Sequence, residues 1–299
     1  MNRGLLYAAG AYILWGLLPI YWKALQTVPS LEILAHRMVW SLVVVIILLA
    51  VQRHWRWITT SVRNKRVILT FMTSALLLSL NWFIYIWAVN AGYIVETSLG
   101  YFINPLINVL LGVLFLKERL RFWQGTAIMI AFSGVLYLTL TYRALPWIAL
   151  TLACSFGFYG LLRKTASLNS LEGLTLETLL LFPPALAYLL YLEWTGSAAF
   201  AHAGPSTTAL LALAGLATAL PLLLFAAGAR RITLTTLGLL QYTAPTLQFL
   251  IGVFVYDEAL TPARLIGFCL IWLALFLYSA EGIIRNNRAS RQQTLPGKP

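Results

Sequence analysis

The chain has 299 residues, of which 60% are hydrophobic and only 10% are charged, and its formal net charge is +12. Soluble domains carry about 25% charged residues, so this composition excludes a protein with a fully water-facing surface and predicts a membrane protein. The basic excess does not indicate a nucleic-acid partner, because no folded soluble surface is predicted that would carry it.

Ten apolar stretches are long enough to cross a hydrocarbon core, which takes about 20 residues in a helix. They lie at roughly 4–22, 31–51, 67–89, 93–116, 122–141, 144–162, 170–191, 206–228, 232–256 and 262–282. This pattern predicts an all-α integral membrane protein with ten transmembrane helices in a lipid bilayer. The basic residues 285–299 that follow are predicted to be a disordered tail.

The basic residues are distributed unevenly between the two sides of the predicted bundle. If the N-terminus is cytoplasmic, 17 of the 21 Lys and Arg residues fall in cytoplasmic segments. This asymmetry follows the positive-inside rule and predicts that both termini lie in the cytoplasm.

Polar and aromatic side chains interrupt the first three spans. The first span contains Trp15 and ends at Lys23, and the second begins with Glu32 and Arg37. The third contains three further candidates, namely Asn81, Trp82 and Tyr85. Asn81 and Tyr85 are four residues apart and therefore share one helix face.

The fourth span carries a polar stripe. Residues four apart along one face of this helix are Glu96, Gly100, Asn104, Asn108 and Gly112. Amides that face lipid are costly, so the stripe is expected to face the bundle interior or a wet cavity. Two alternatives remain open for the asparagines, which either line a cavity or hydrogen-bond to neighbouring helices. Pro105 removes a backbone hydrogen bond and predicts a kink in this helix.

The second half of the chain repeats the first about 140 residues later. Trp15-Gly16 aligns with Phe156-Gly157 and Lys23 with Lys164, while Pro105 aligns with Pro245, which predicts a second kink. The repeats are predicted at 1–142 and 143–284, each with five helices. Because five is odd, the second repeat enters the membrane from the opposite side, which predicts two inverted repeats around a central site.

An aromatic pocket with a few amides is expected between the repeats, and it would suit a small, partly apolar solute. Beside the candidates in the first three spans, the predicted substrate-binding residues are Tyr101, Asn104, Asn108, Tyr159, Gln241, Tyr242 and Gln248. The alternative for each aromatic residue is core packing or a place in an interfacial belt.

The chain resembles the EamA family of the drug/metabolite transporter superfamily, and within it the RarD subfamily. The resemblance is carried by residues 32–37 (EILAHR), 81–90 (NWFIYIWAVN) and 96–106 (ETSLGYFINPL), and by Glu118 and Glu258 closing the fourth helix of each half. It covers almost the whole chain, but Leu240 and Ala244 replace the Gly100 and Asn104 of the first half. The resemblance implies a multi-pass transporter of the bacterial cytoplasmic (inner) membrane that moves metabolites, amino acids or drugs.

Charged residues near the span ends form two sets that are predicted to act in gating or coupling. The outer set is Lys23, Glu32, Arg37 and Glu96, and the inner set is Lys164, Glu172 and Glu177. We expect Lys23–Glu32 and Lys164–Glu172 to form pseudo-symmetric ion pairs at two gates, the alternative being solvated pairs that contribute little. No carboxylate is placed at the bilayer midplane, which favours facilitated export or exchange over proton coupling, with Glu96 and then Glu177 as proton-site candidates.

Other functional classes have weaker support. No nucleophile motif or metal-ligand set appears, so neither an enzyme nor a cofactor is predicted. The alternative to a secondary transporter is a membrane scaffold without a permeation route. Substrate, direction of transport and oligomeric state, monomer or homodimer, stay open at this point.

Overall fold

The structure, a computed structural model, describes residues 3–53, 55, 57–58, 63–90, 94–142, 147–255 and 262–293, some of them, including 94–99, by backbone alone. This part of the chain is helical and contains no strand. The helices are α1 (Arg3–Lys23), α2 (Ser30–Gln52), α3 (Lys65–Asn90), α4 (Ile94–Leu116), α5 (Phe122–Tyr142), α6 (Trp147–Thr165), α7 (Ser170–Trp194), α8 (Pro205–Ala229), α9 (Leu234–Gln241), α10 (Thr243–Val255) and α11 (Pro262–Gln293). The predicted all-α fold is confirmed.

Every predicted span coincides with helical residues, and the ninth is divided into α9 and α10 at Tyr242. Seven segments among the described residues are long and apolar enough to cross a membrane, with α9 and α10 counted together. The last helix runs to Gln293 and thus includes residues 285–293 of the predicted tail. Extending an existing helix requires no new nucleation, and this helix continues past the apolar span for that reason.

Large apolar side chains cover the outside of the helical bundle. They are half or more exposed at many positions, among them Leu76, Leu114, Phe115, Met129, Leu140 and Phe276. A surface of this kind is unfavourable in water but matches the hydrocarbon region of a bilayer. The protein is therefore a multi-pass membrane protein.

The helix contacts repeat after a shift of five spans, with α9 and α10 taken as one span. α1 packs on α8 and α10, and correspondingly α6 packs on α3 and α4. The contact of α2 with α8 likewise corresponds to the contact of α7 with α3. Three further contacts join a helix of the first half to the helix at the same position in the second half, namely α2–α7, α4–α9 and α5–α11. The inner helices α1, α4, α6 and α9 thereby surround the region where the two sequence halves meet.

Candidate functional site

A cavity of about 710 Å³ lies at one end of the helical bundle, where the C-terminal half of α1 meets the N-terminal halves of α2, α4 and α6. Of the predicted substrate-binding residues, the cavity is lined by Trp15, Asn81, Trp82, Tyr85, Tyr101, Asn104, Gln241 and Gln248. Lys23, Arg37 and Pro245 also line it. The cavity is thus built by helices from both sequence halves.

The floor of the cavity is an amide bridge between the two halves. Asn108 on α4 donates to the Oε1 of Gln241 on α9 at 2.8 Å and to the Oδ1 of Asn104 at 3.2 Å. Asn108 is fully buried and does not line the cavity. Both alternatives left open for the asparagines are therefore realised, since Asn104 lines the cavity and Asn108 joins two helices.

Tyr159 and Tyr242 lie in the packed core and do not line the cavity. Tyr159 packs on Phe225 with ring centroids 5.9 Å apart, and its hydroxyl donates to Glu177 at 3.5 Å. The Tyr242 hydroxyl donates to the Phe102 carbonyl at 3.2 Å. Their hydroxyls are satisfied by protein partners, which explains how such rings are stable in the interior.

Two of the lining amides also brace helices. The Nδ2 of Asn81 donates to the Leu152 carbonyl at 2.8 Å and to the Ser155 hydroxyl at 3.0 Å, which joins α3 to α6. The Nε2 of Gln248 donates to the Trp15 carbonyl at 3.2 Å, which joins α10 to α1. These amides hold the cavity wall in place and present their remaining polar atoms to the cavity.

Three further lining residues, on α1 and in the turn that follows it, were not predicted from the sequence. Tyr12, Trp22 and Gln26 line the cavity together with Trp15 and Pro19. The spacings from 12 to 15, 19 and 22 are three, four and three residues, which marks a single face of α1. That regular stripe is the sequence signal for Tyr12 and Trp22.

Arg37 lies on the cavity wall between two tryptophans. Its guanidinium carbon is 4.8 Å from the ring centroid of Trp22 and 4.5 Å from that of Trp82. Its Nε donates to the Thr218 hydroxyl at 2.8 Å, which links α2 to α8. Tryptophan faces attract a cation, so the two rings hold the guanidinium in a fixed plane.

The other members of the predicted outer set have different surroundings. Glu32 is fully buried, and its Oε1 accepts from the backbone N–H groups of Ala199 at 2.7 Å and Phe200 at 3.3 Å. It therefore anchors the link between α7 and α8, whereas the expectation was an ion pair with Lys23. The side chain of Glu96 lies outside the described part of the structure.

At the opposite end of the bundle, Glu177 is the centre of a buried polar cluster. It accepts hydrogen bonds from Ser74 and Tyr159, and its Oε1 lies 3.7 Å from the Nη1 of Arg163. Arg163 and Glu177 are 2% and 1% exposed. Sequence analysis had assigned Arg163 only to the cytoplasmic basic residues, so this ion pair is a feature that it missed.

Lys164 and Glu172 bind groups other than those expected. The Nζ of Lys164 donates to the carbonyls of Ala229, at 3.0 Å, and Ile232 at the C-terminal end of α8, where a cation is favourable. Glu172 forms a capping box with Asn169 at the start of α7, in which each side chain bonds the other residue's backbone N–H.

Glu118 connects the first half to the ninth span. Its carboxylate accepts from the backbone N–H groups of Leu234 at 2.7 Å and Thr235 at 3.0 Å, at the N-terminus of α9. An anion there is stabilised by the unpaired N–H groups of the helix start. Glu118 thus joins the end of the first half to a helix of the second half. Glu258 lies outside the described residues.

The two prolines differ in their effect. α4 continues through Pro105 without a break, while the ninth span is interrupted at Tyr242, three residues before Pro245. Gln241, at the interruption, is one of the lining residues. A broken helix beside a cavity is a common way to bring backbone polar groups to a binding site in membrane transporters.

The described helices form an apolar bundle around a polar and aromatic cavity, which is the architecture of a multi-pass membrane protein with a site for a small molecule. The chain belongs to the EamA-like transporter family, whose sequence pattern matches residues 2–140. It is 49% identical to the uncharacterized transporter YojE of Bacillus subtilis over 97% of both chains. It is 47% identical to the protein RarD of Streptomyces exfoliatus over 100% of this chain and 94% of that protein.

The fold has a counterpart among solved structures. A protein crystal structure aligns with a TM-score of 0.68 over 92% of this chain and 97% of that chain, at 21% sequence identity. At this identity the likeness concerns the fold. The predicted resemblance to the EamA family and its RarD members is confirmed by the relatives.

Proposed function

We propose that the protein is a secondary transporter that exports or exchanges a small organic metabolite, amino acid or drug-like solute by alternating access. Its units are the inverted five-helix repeats 1–142 and 143–284, followed by the basic tail 285–299. Both termini lie in the cytoplasm, and the membrane is the bacterial cytoplasmic membrane. The cavity between the repeats is the substrate site.

The observation that carries this proposal is that the cavity is confined to one end of the bundle. Its lining belongs to the C-terminal half of α1 and the N-terminal halves of α2, α4 and α6, and its floor is the Asn108–Gln241 bridge. With a cytoplasmic N-terminus, the end at which α1 terminates faces outward. The structure then corresponds to an outward-facing state whose substrate enters or leaves on that side.

The opposite end carries the contacts expected of a closed inner barrier. Glu118 of the first half binds the start of α9, and Ser74 of the first half binds Glu177 on α7. Lys164 bonds the end of α8. Polar contacts of this kind can exchange for water when the helices separate, which suits a gate better than apolar packing does.

The repeated helix contacts support the inverted arrangement. A Cβ built on Gly16 of α1 would lie 2.7 Å from the Cβ of Leu247 on α10. A Cβ built on Gly157 of α6 would lie 2.7 Å from the Cγ2 of Ile107 on α4. The two glycines are 141 residues apart and their partners 140 apart, so the same close approach occurs once in each half.

Ligand-dependent melting of the purified protein in detergent tests the substrate site. A ligand at 100 times its dissociation constant stabilises the folded state by about 2.7 kcal/mol. We expect a saturable rise in melting temperature for one chemical class from a panel of metabolites, amino acids and drugs, and its loss in Tyr85→Ala and Asn104→Ala. Tyr191→Ala, which removes an exposed tyrosine from α7, is the matched control and keeps the shift.

Transport itself is tested with the ligand that this panel identifies. Proteoliposomes loaded with unlabelled ligand are expected to accumulate the labelled ligand by exchange, and Asn104→Ala reduces the rate. A scaffold without a permeation route would bind no member of the panel or would bind without exchange, and either result would contradict the proposal.

A further inference from the structure

The cavity wall contains a cation with no carboxylate partner among the described side chains. Arg37 donates its Nε to Thr218, and the described residues offer no acceptor to its Nη1 and Nη2 groups. The described residues lining the cavity include Lys23 as a second cation and no acidic residue. The charged side chains among the described lining residues are therefore both basic.

The corresponding position in the second half shows how the chain otherwise satisfies such a charge. Arg37 and Glu177 are equivalent at a spacing of 140 residues, and Trp22 and Arg163 at 141. In the second half this pair of positions forms the buried Arg163–Glu177 ion pair, at 3.7 Å. In the first half it forms a cation–π contact, with Arg37 4.8 Å from the Trp22 ring centroid. Among the described residues, the framework thus holds a counter-ion for the arginine of the second half and not for Arg37.

The contacts of Arg37 involve the ring faces of two tryptophans and its own Nε. Trp22 and Trp82 contact the guanidinium, with centroids at 4.8 and 4.5 Å, and the Nε is bound to Thr218. The Nη groups remain, and a guanidinium binds a carboxylate through two parallel N–H donors. Arg37 is partly exposed and lines the cavity, so its Nη groups can bind an anion that enters the cavity.

We propose that Arg37 binds the carboxylate of the transported solute, and that the solute is a small organic anion with a flat apolar body. The rings of Trp15, Tyr85 and Tyr101 line the space beside Arg37 and suit the apolar body. Asn104 and Gln241 at the floor suit a second polar group. A cavity of about 710 Å³ accommodates such a solute and excludes a polymer. This inference rests on the proposed function and names its substrate class.

The test compares ligands that share a body and differ in charge. Phenylacetate and indole-3-acetate are the anions, phenylacetamide and indole-3-acetamide are their neutral counterparts, and phenethylamine and tryptamine are the cations. Binding to the purified full-length protein at pH 7 is measured by calorimetric titration and by the shift in melting temperature. We expect at least one anion to bind at least about tenfold more tightly than its amide, and the amines to bind more weakly still.

Variants at position 37 test whether the preference arises from this arginine. Arg37→Gln is expected to remove the difference between anion and amide, while Arg37→Lys keeps the sign of the preference at lower affinity because a lysine lacks the paired donors. Arg66→Gln, at the exposed start of α3, is the matched control and leaves the preference unchanged. Melting without ligand and gel filtration verify that each variant is folded, and Arg37→Lys keeps the test decisive if Arg37→Gln does not fold.

The outcomes separate this inference from the proposed function. Failure of both carboxylates to bind, equal binding of anion and amide, or an unchanged preference in Arg37→Gln would each overturn the inference. If a neutral or cationic solute exchanges across proteoliposomes independently of Arg37, the transporter proposal stands and the anion inference fails. If carboxylates bind through Arg37 but no exchange occurs, the anion site stands and the transport proposal fails.

Discussion

The Asn108–Gln241 bridge is a buried hydrogen bond between two helices that belong to different sequence halves. The donor–acceptor distance is 2.8 Å, and Asn108 is 0% exposed while Gln241 is 5% exposed. A buried amide that loses its partner has no water to replace it. The bridge therefore holds α4 against α9 at the floor of the cavity.

Asn108→Ala is expected to lower the free energy of unfolding by about 1–3 kcal/mol, because the Gln241 oxygen loses the amide hydrogen that it accepts. Denaturant titration in detergent measures the loss. Because the two residues share one hydrogen bond, the losses in Asn108→Ala and Gln241→Ala should be less than additive in the double variant. Gln52→Ala, at the exposed end of α2, is the control and stays within about 0.5 kcal/mol. Full additivity of the two losses would contradict a hydrogen bond between Asn108 and Gln241.

Glu177→Gln is expected to destabilise the protein by about 3–5 kcal/mol, because it leaves the Arg163 guanidinium buried without its counter-ion. Arg163→Gln should have a similar effect, and the double variant should be more stable than the sum of the single losses indicates. The unfolding midpoints of the three variants measure this.

A surface ion pair provides the control for that prediction. Glu193 lies 3.2 Å from the His202 ring nitrogen, and both side chains are about 60% exposed. Glu193→Gln should cost less than about 1 kcal/mol because the pair is solvated. Equal losses for Glu177→Gln and Glu193→Gln would show that the buried pair does not act as described.

Charged residues illustrate what sequence could and could not predict at this scale. Sequence grouped Glu177 and Lys164 at one end of the bundle, and both form polar contacts at the end opposite the cavity. It paired Lys164 with Glu172, whereas Lys164 binds helix-end carbonyls and Glu177 binds Arg163. Partner choice depends on how helices rotate against each other, and hydrophobic periodicity carries no information about that rotation.

Close helix approach at glycines is the feature that matters most at the scale of elements. Gly16 lets α1 approach α10, and Gly157 lets α6 approach α4, each with 2.7 Å between a built Cβ and its neighbour. Small residues at helix interfaces are a main source of stability in membranes, because backbones can then pack closely. The alignment of the halves matched these glycines but could not name the helices that they touch.

Gly16→Ala is expected to destabilise the protein, and more than Gly157→Ala does. The obstructing atom for Gly16 is the Cβ of Leu247, which cannot rotate away, whereas for Gly157 it is the Cγ2 of Ile107, which can. Overpacking of this kind typically costs about 1–3 kcal/mol. The unfolding midpoint of each variant measures the cost.

Substitutions on the partner helices serve as a rescue test, and Gly125 as the control. Ile107→Ala should restore part of the stability lost in Gly157→Ala, since it removes the obstructing methyl group. Gly125→Ala meets no atom within 4 Å and is expected to be neutral or to stabilise α5 by up to about 1 kcal/mol. If Gly16→Ala matched Gly125→Ala in stability, the close approach of α1 and α10 would be contradicted.

The ninth span shows a limit of prediction at the same scale. Both Pro105 and Pro245 remove one backbone hydrogen bond, and both were expected to kink their helices. The helix around Pro105 is continuous, but the span that contains Pro245 is divided at Tyr242. Proline determines which bond is lost, whereas packing around the helix determines whether the chain breaks there.

At the scale of the whole molecule, the helical architecture was easier to predict from the sequence than the position of the cavity. Most spans are long and apolar in their own right, so the place of the helices follows largely from local composition. The position of the cavity does not, because it depends on which faces of α1, α4, α6 and α9 meet. Tyr12 and Trp22 lie on the regular stripe of α1, but periodicity alone does not distinguish a stripe that faces a cavity from one that faces the packed core.

Alternating access predicts that one end of the molecule is open while the other is closed. Single cysteines are introduced into Cys154→Ala/Cys269→Ala protein and labelled with a membrane-impermeant maleimide in right-side-out and inside-out vesicles. Gln26→Cys, at the cavity mouth, is expected to react from the outside only. Ser74→Cys is expected to be protected from both sides, since Ser74 is 1% exposed behind the inner barrier.

Weakening the inner barrier should change the labelling pattern on the cytoplasmic side. Glu118→Gln removes the charge that accepts two N–H groups at the start of α9, so the inward-open population should rise and Ser74→Cys should become reactive from the cytoplasmic side. Asn64→Cys, at the exposed start of α3, reports the orientation and should react only from the cytoplasm in both backgrounds. Labelling of Gln26→Cys from the cytoplasmic side would show that the topology is the reverse of the one proposed. Unchanged protection of Ser74→Cys in the Glu118→Gln protein would show that Glu118 does not hold the inner barrier closed.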